Sequence, residues 1–175
     1  MNSCFIKFRS DTANARCWVL IKDIHDLKIL FLCTGNSCRS QMAEAWAKEL
    51  KSGQIKAFSA GVEIHGLNPY AVQVMAEAGV DISGYRSKHL DEFKGVHFDV
   101  VITVCDNARE TCPYFPGSSR LIHMSFDDPP ALARVVAEKG GDEQDKLNCY
   151  RKVRDEIRAF VEELPEKLKP QIHTD

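Results

Sequence analysis

The sequence predicts a single α/β domain with a four-stranded parallel sheet flanked by helices on both faces. Short apolar runs that suit buried strands alternate with segments of helical period, which is the pattern of parallel strands joined by crossover helices. A length of 175 residues and 44% apolar residues suit one domain with one sizeable core. Regular patterning begins at Lys28, so we divide the chain into an extension of unknown role (1–27) and a domain (28–168).

The first half of the domain is predicted as strand, helix, strand, helix. The apolar run Ile29 to Leu32 is the first strand, and Gln41 to Lys51 has helical period. Ile55 to Ser59 is the second strand. An asparagine cap followed by proline then opens a second helix at Asn68, which runs to about Gly79.

The second half adds two strands and a closing helix. The β-branched run from Asp99 to Val104 predicts the third strand, and Arg120 to Ser125 predicts a weaker fourth. Beyond Asp142, apolar residues recur every three or four positions, which indicates an amphipathic helix that ends near Pro165.

Composition narrows the partners. The formal net charge is −2 with no long basic run, which argues against a nucleic-acid or anionic-membrane surface. The apolar stretches are strand-sized, shorter than a membrane span, and no export signal is evident. We therefore expect a cytoplasmic monomer that acts on a small molecule or a protein.

The cysteines do not fit a secreted disulfide framework, because their number is odd and their spacing uneven. No Cys-x-x-Cys pair occurs and the histidines do not cluster, so we predict no metal site and no cofactor. We therefore interpret each cysteine from its own sequence context. The cysteines are Cys4, Cys17, Cys33, Cys38, Cys105, Cys112 and Cys149.

The segment that follows the first strand is interpreted as an oxyanion-binding loop. It begins at the carboxyl end of a strand, where open α/β sheets bind ligands, and a helix starts within a few residues. Backbone amides at a helix N-terminus can surround the oxygens of a tetrahedral anion, and an arginine adds a bidentate charged donor. The predicted binding residues are Thr34, Gly35, Asn36, Ser37, Cys38, Arg39 and Ser40.

Cys33 is the predicted nucleophile of this loop. A free thiol has a pKa of about 8.5, and a helix N-terminus or a neighbouring arginine lowers it to roughly 3.5 to 7.5, so we expect Cys33 to be mostly ionised. Ser40 can donate a hydrogen bond to the thiolate, and Asn36 can brace the loop. The alternative, a cysteine merely buried beside a helix, explains neither Arg39 nor Ser40.

Asp128 is the predicted acid. Displacing an oxygen from a tetrahedral oxyanion requires a proton, and the sequence Phe-Asp-Asp-Pro after the fourth strand offers two carboxyl groups. We select Asp128 over Asp127 because Pro129 keeps the preceding residue out of helical geometry and can aim its side chain into the crevice. A simple polar turn is the alternative.

Cys105 and Cys112 suggest redox chemistry. Cys105 ends the third strand, on the same sheet edge as Cys33, and Cys112 follows seven residues later. In a helix that separation would place the α-carbons about 10.5 Å apart, whereas a disulfide needs less than about 7 Å. A bond between them would therefore require the segment to unwind. Two incidental buried cysteines are the alternative.

With these motifs in place, the chain from about Lys28 to Glu163 resembles the thioredoxin-coupled arsenate reductases of the low-molecular-weight phosphatase fold. Plain phosphatases of this fold share the first loop and the Asp-Pro pair but lack the second pair of cysteines. The segments that carry the resemblance are Phe31 to Trp46, Ser59 to Val62, His65 to Pro69, Val104 to Pro113, Phe126 to Pro129 and Arg151 to Ile157.

The resemblance implies reduction of arsenate to arsenite, for arsenic detoxification, with thioredoxin as electron donor. In that cycle Cys33 attacks arsenate held by Arg39 and the loop amides, while Asp128 protonates the departing oxygen. Cys105 then attacks Cys33 as arsenite leaves, and Cys112 attacks Cys105 to give a disulfide that thioredoxin reduces. Phosphate and sulfate are the expected competing oxyanions.

Two other functions stay open. A phosphatase acting on phosphotyrosine or a small phosphoester would use Cys33, Arg39 and Asp128 but ignore the second cysteine pair. An oxyanion or redox sensor would bind its ligand in the same loop without turnover.

The chain departs from some family members at a potassium site. The family's asparagine, glutamate and serine ligands correspond to Asn36, Glu44 and Ser59, but Arg86 and Lys88 stand where those members have threonine and aspartate. Because a lysine ammonium can replace the charge of the cation, we predict no metal requirement.

The remaining cysteines have no assigned step. Cys38 could form an off-path disulfide with Cys33 or simply pack in the loop, and both interpretations stay open. Cys4, Cys17 and Cys149 match no family position and are treated as bystanders.

Overall fold

The computed structural model describes residues 26–106 and 120–168. The predicted extension, together with Cys4, Cys17 and Cys112, therefore lies outside the described residues, except for the last two positions of the extension. The described strands are β1 (Leu27–Cys33), β2 (Ile55–Gly61), β3 (Val100–Thr103) and β4 (Leu121–His123). The helices are α1 (Arg39–Leu50), α2 (Pro69–Glu77), α3 (Pro129–Glu138) and α4 (Glu143–Glu162), with 3-10 turns at Leu90–Phe93 and Glu166–Leu168.

The sheet is fully parallel and has the strand order β2-β1-β3-β4. The chain moves from β1 to β2 on one side and later returns to place β3 on the other side of β1. The connections after β1 and β3 thus run in opposite directions and leave a crevice at the carboxyl ends of these strands. The prediction of a four-stranded parallel α/β domain is confirmed, and the crevice lies where Cys33 was predicted to act.

Local sequence explains where three helices begin. Asn68 caps α2 by accepting bonds from the amides of Tyr70 and Ala71, and Pro69 takes the first helical position. Asp142 forms a reciprocal capping box with Asp145 at the start of α4. By contrast α1, which follows Cys38, has no side-chain cap, so the amides of its first turn are not bound by a capping side chain.

Helix α3 was not predicted from the sequence. Its first two residues are Pro129 and Pro130, and proline is well tolerated in the first helical turn. The sequence analysis considered only a polar turn around Asp128 as the alternative to a catalytic role. Asp128 has extended backbone angles and caps this helix by accepting from the amide of Ala131 at 3.1 Å. The segment for which a polar turn was the alternative is therefore the start of a helix.

The core covers both faces of β1, the strand that leads into the loop with Cys33. Consecutive residues Ile29 to Cys33 are all buried, so both faces of β1 are covered. Helix α1 packs on β1, β2 and α4, and α4 also contacts α2 and α3. Among the described residues, no helix is both long and apolar enough to cross a bilayer.

Candidate active site

The loop after β1 turns its carbonyl groups away from the crevice. Backbone amides of the segment 62–68 bond to these carbonyls: Val62 to Cys33 at 3.2 Å, Glu63 to Thr34 at 2.9 Å, His65 to Gly35 at 3.1 Å and Asn68 to Ser37 at 3.1 Å. In a planar trans peptide the N–H points opposite to the C=O. The N–H groups that follow these carbonyls therefore face the crevice, as a site for an oxyanion requires.

Two glycines allow this close approach. A Cβ atom at Gly35 would lie 2.3 Å from Nδ1 of His65, and a Cβ atom at Gly61 would lie 2.7 Å from the carbonyl oxygen of Thr34. Backbone atoms thus restrict position 61 to glycine, whereas a larger residue at position 35 would displace the ring of His65. Asn36 instead has a positive φ of 46°, a conformation that asparagine tolerates better than most residues.

A directed chain of hydrogen bonds leads from Asn36 to Cys33. The side-chain oxygen of Asn36 accepts from Gln41 and from the amide of Lys88, which fixes its amide group as the donor elsewhere. That group donates to Ser40 Oγ at 2.8 Å and to Ser59 Oγ at 2.9 Å. The hydroxyl hydrogen of Ser40 is therefore free for Cys33 Sγ, which lies 2.8 Å away.

The cluster that the sequence analysis compared with a potassium site contains ammonium groups. Glu44, which is buried, accepts from Ser59 at 2.5 Å and pairs with Lys88 Nζ at 3.0 Å and Lys48 Nζ at 2.5 Å. The ring of Tyr85 lies beneath both ammonium groups. These residues do not fit a metal ion, because Lys88 and Lys48 already neutralise the carboxylate.

The surroundings of Cys33 oppose the ionisation that the sequence predicted. Burial raises the pKa of the Cys33 thiol. The hydrogen bonds from Ser40 and Asn36 lower this pKa, but by less than burial raises it. The charge of the neighbouring Cys105 raises the pKa further.

Arg39 is bound to the predicted acid. Its Nη2 donates to Asp128 Oδ1 at 2.8 Å, and its Nη1 donates to the carbonyl oxygen of Phe126 at 3.0 Å. The other aspartate, Asp127, forms an exposed ion pair with Lys152 at 2.8 Å. Of the two aspartates, Asp128 is thus the one at the crevice, beside the arginine of the loop.

The structure brings a second thiol to the same loop. Cys105, two residues beyond β3, is 3% exposed, and its Sγ lies 3.4 Å from Oγ1 of Thr34. Cys112 lies outside the described residues. Cys38 is also buried, and burial raises its pKa to about 12, which suits packing better than reaction.

The loop, Asp128 and α3 enclose a cavity of about 410 Å³. The sequence analysis missed two of the residues that line it. His65 lies in a segment that carries the family resemblance but was given no role, and Arg134 lies in a helix that was not predicted. The other residues that line the cavity are Cys33, Thr34, Gly35, Ser37, Cys38, Arg39, Asp128 and Pro130.

Together the fold and the cavity define a class: α/β proteins that hold a tetrahedral oxyanion against a cysteine at the end of a parallel strand. Within that class, residues 28–174 match the family model described as low molecular weight phosphotyrosine protein phosphatase. The chain belongs to this family, which confirms the resemblance found from the motifs.

Relatives and solved structures agree with this assignment. Arsenate reductase from Bacillus subtilis is 45% identical over 141 residues, which cover 81% of this chain and 96% of that protein. A solved arsenate reductase in the phosphate binding state is 33% identical, with a TM-score of 0.63 over 82% of this chain and 99% of that one. The low molecular weight protein tyrosine phosphatase from T. tengcongensis is 26% identical, with a TM-score of 0.61 and coverage of 81% and 99%.

Proposed function

We propose that this protein reduces arsenate to arsenite by a relay of Cys33, Cys105 and Cys112, with thioredoxin as electron donor. The observation that carries the proposal is the second buried thiol, Cys105, which reaches the oxyanion loop at Thr34. A hydrolase has no use for this thiol, whereas a reductase needs an electron donor at that point. The name of the Bacillus subtilis relative supports the same activity. The domain proposed to carry it spans residues 28–168, and the extension has no proposed role.

Arsenate binding begins with an exchange of partners. In the structure Arg39 is bound to Asp128 and to the carbonyl oxygen of Phe126. A dianion in the loop offers Arg39 a stronger bidentate partner than Asp128 does. When Arg39 moves to the dianion, the carboxyl group of Asp128 is able to take up a proton. Binding of the oxyanion thus frees the acid that the reaction needs.

The chemical steps then balance as follows. The Cys33 thiol loses its proton to the arsenate dianion and its sulfur bonds to arsenic, while one oxygen leaves as water with a proton from Asp128. Cys105 sulfur attacks Cys33 sulfur, so that the electron pair of the S–As bond stays on arsenic. Arsenic(V) becomes arsenic(III), and the two thiols become a disulfide.

The final step returns the nucleophile. Cys112 attacks Cys105, releases the Cys33 thiol and forms the 105–112 disulfide, which a thioredoxin dithiol reduces by exchange. Because Cys33 and Cys105 are both buried, a disulfide between them is poorly accessible to a protein reductant. Transfer to Cys112 solves this problem of access.

The test is NADPH oxidation by the full chain with arsenate, thioredoxin and thioredoxin reductase, beside the variant Cys112→Ser. We expect arsenate-dependent turnover in the native protein and none beyond a first turnover in the variant. A Cys149→Ser variant serves as the control for removing a cysteine outside the relay. Equal turnover in native protein and Cys112→Ser would contradict the relay.

Phosphomonoester hydrolysis is the second candidate, favoured by the family itself and by an aromatic groove beside the cavity. Tyr70 and Tyr150 lie with ring centroids 5.1 Å apart in a second cavity, which shares Pro130 and Arg134 with the first. Hydrolysis of p-nitrophenyl phosphate that is unaffected by Cys112→Ser, with no arsenate turnover in either protein, would support this function instead.

A further inference from the structure

Arsenate reduction consumes more protons than one acid supplies. The dianion HAsO₄²⁻ and two thiols carry three hydrogens between them, whereas the products, neutral arsenous acid and water, carry five. Two further protons must therefore reach the oxygens in each turnover. Asp128 accounts for one of them at the oxygen that leaves as water, so the site needs a second proton carrier.

His65 lies where such a carrier is needed. Its ring packs directly on the oxyanion loop, because a Cβ atom at Gly35 would lie 2.3 Å from its Nδ1. It lines the same cavity as Cys33 and Asp128. Its side chain is 52% exposed, so protons can also reach it from water.

The local structure fixes the orientation of this imidazole. The amides of Glu63 and His65 bond to the carbonyls of Thr34 and Gly35, which locks the segment to the loop. The carboxylate of Glu63 lies 2.6 Å from Nε2 and accepts its hydrogen. Nδ1 remains over the loop, so a proton taken up by the ring appears at that atom.

We propose that His65, oriented by Glu63, is the second proton carrier of the site and delivers the Nδ1 proton to the oxygen of the departing arsenite. This inference rests on the proposed reductase function. After arsenite has left, Nδ1 accepts its next proton from water that enters the cavity, and no redox partner beyond the thiols is needed.

A test of His65 must separate proton delivery by its ring from an indirect effect on the loop, because charged groups surround it. Glu63 is the charged group on its own segment, and the titratable and charged groups that share the cavity wall with it are Cys33, Cys38, Arg39, Asp128 and Arg134. A change at His65 could act through the loop rather than through a proton. Binding of inorganic phosphate reports the loop, whereas the pH dependence of a single turnover reports the proton.

The experiment mixes the reduced full chain with excess arsenate, without thioredoxin, and measures the arsenite released between pH 5.5 and 9. His65→Gln keeps a side chain on Gly35 but has no group that gains or loses a proton in this pH range, and it should be about 10- to 100-fold slower at neutral pH. The alkaline fall of the native rate should become shallower in this variant. Inorganic phosphate should bind both proteins alike.

Further variants decide between outcomes. Added imidazole should restore His65→Ala in proportion to the imidazolium concentration, Glu63→Gln should show a smaller loss of the same kind, and His97→Gln, remote from the cavity, should match the native protein. A native rate and pH profile in His65→Gln overturns the inference. So does an equal loss at every pH with weakened phosphate binding and no imidazole response. Absence of arsenite release from the native protein overturns the proposed function, and this inference with it.

Discussion

Cys33 and Cys105 follow neighbouring strands and are buried to the same degree, at 4% and 3% exposed, yet their surroundings differ. Cys33 receives the hydroxyl of Ser40 at 2.8 Å and the amide of Asn36 at 3.2 Å, both within a loop braced by other bonds. Cys105 has one described contact of this kind, the hydroxyl of Thr34 at 3.4 Å.

The difference shows that position at the sheet edge supplies proximity but not reactivity. The parallel sheet brings both thiols to one crevice, and only the hydrogen-bond chain from Asn36 prepares one of them to hold negative charge. A first nucleophile must attack a charged oxyanion, whereas a second one attacks a neutral sulfur. These surroundings are those that the proposed roles of the two thiols require.

Exchanging each thiol for a hydroxyl should give the largest effect. We expect Cys33→Ser to lose both arsenate reduction and p-nitrophenyl phosphate hydrolysis by at least roughly 10⁴-fold, because the nucleophile is removed. Cys105→Ser should lose arsenite release but keep phosphoester hydrolysis. Parallel assays of the two activities measure this contrast, and arsenite release at the native rate from Cys105→Ser would remove the distinction between the thiols.

Removing the hydroxyl beside each thiol should sharpen the comparison. Ser40→Ala removes a bond that lowers the pKa of Cys33, so that pKa rises and the acidic limb of the reaction moves to higher pH. We expect a loss of about 10- to 100-fold near neutral pH. Thr34→Val should slow only the transfer to Cys105, by a few-fold.

Alkylation by iodoacetamide as a function of pH, followed by mass spectrometry of each cysteine, measures the thiolate directly. The profile of Cys33 should shift in Ser40→Ala and stay fixed in Thr34→Val. A Cys33 profile that does not move in Ser40→Ala would mean that the hydroxyl does not donate to the sulfur.

The smallest effect on turnover is expected at the far end of the Cys33 network. Lys88→Gln removes one ammonium from Glu44 and should lower the free energy of unfolding by about 1 to 3 kcal/mol, measured by urea denaturation. Lys94→Gln, at an exposed pair with Asp91, should be nearly neutral. The native protein should be equally active in potassium and sodium, and a strong preference for potassium would defeat the view that Lys88 replaces the ion.

Much of the fold could be predicted from local sequence. The run around Ile29, the cap at Asn68 and the period of the closing helix each have one physical interpretation, and the structure agrees with all three. The start of α3 at Pro129 could not be predicted in this way, because prolines suit both a turn and the first turn of a helix.

The sequence predicted which residues come together at the site, but not the protonation of Cys33. Cys33, Arg39, Asp128 and Cys105 come together as the motifs suggested. The raised pKa of Cys33 follows from its burial and from the neighbouring Cys105, and both depend on tertiary packing that no local pattern encodes. His65 was missed for the same reason, since only the fold shows its ring on Gly35.

The cap of α3 has a consequence for the balance between stability and activity. Asp128 caps the helix with one carboxyl oxygen, and an asparagine would serve a helix about as well. Whenever the carboxyl carries the proton that the reaction requires, it is a weaker acceptor and no longer favours the positive end of the helix dipole. In the proposed mechanism the protein would thus spend part of each turnover with α3 less firmly anchored, and an asparagine would keep that anchor but could not supply the acid.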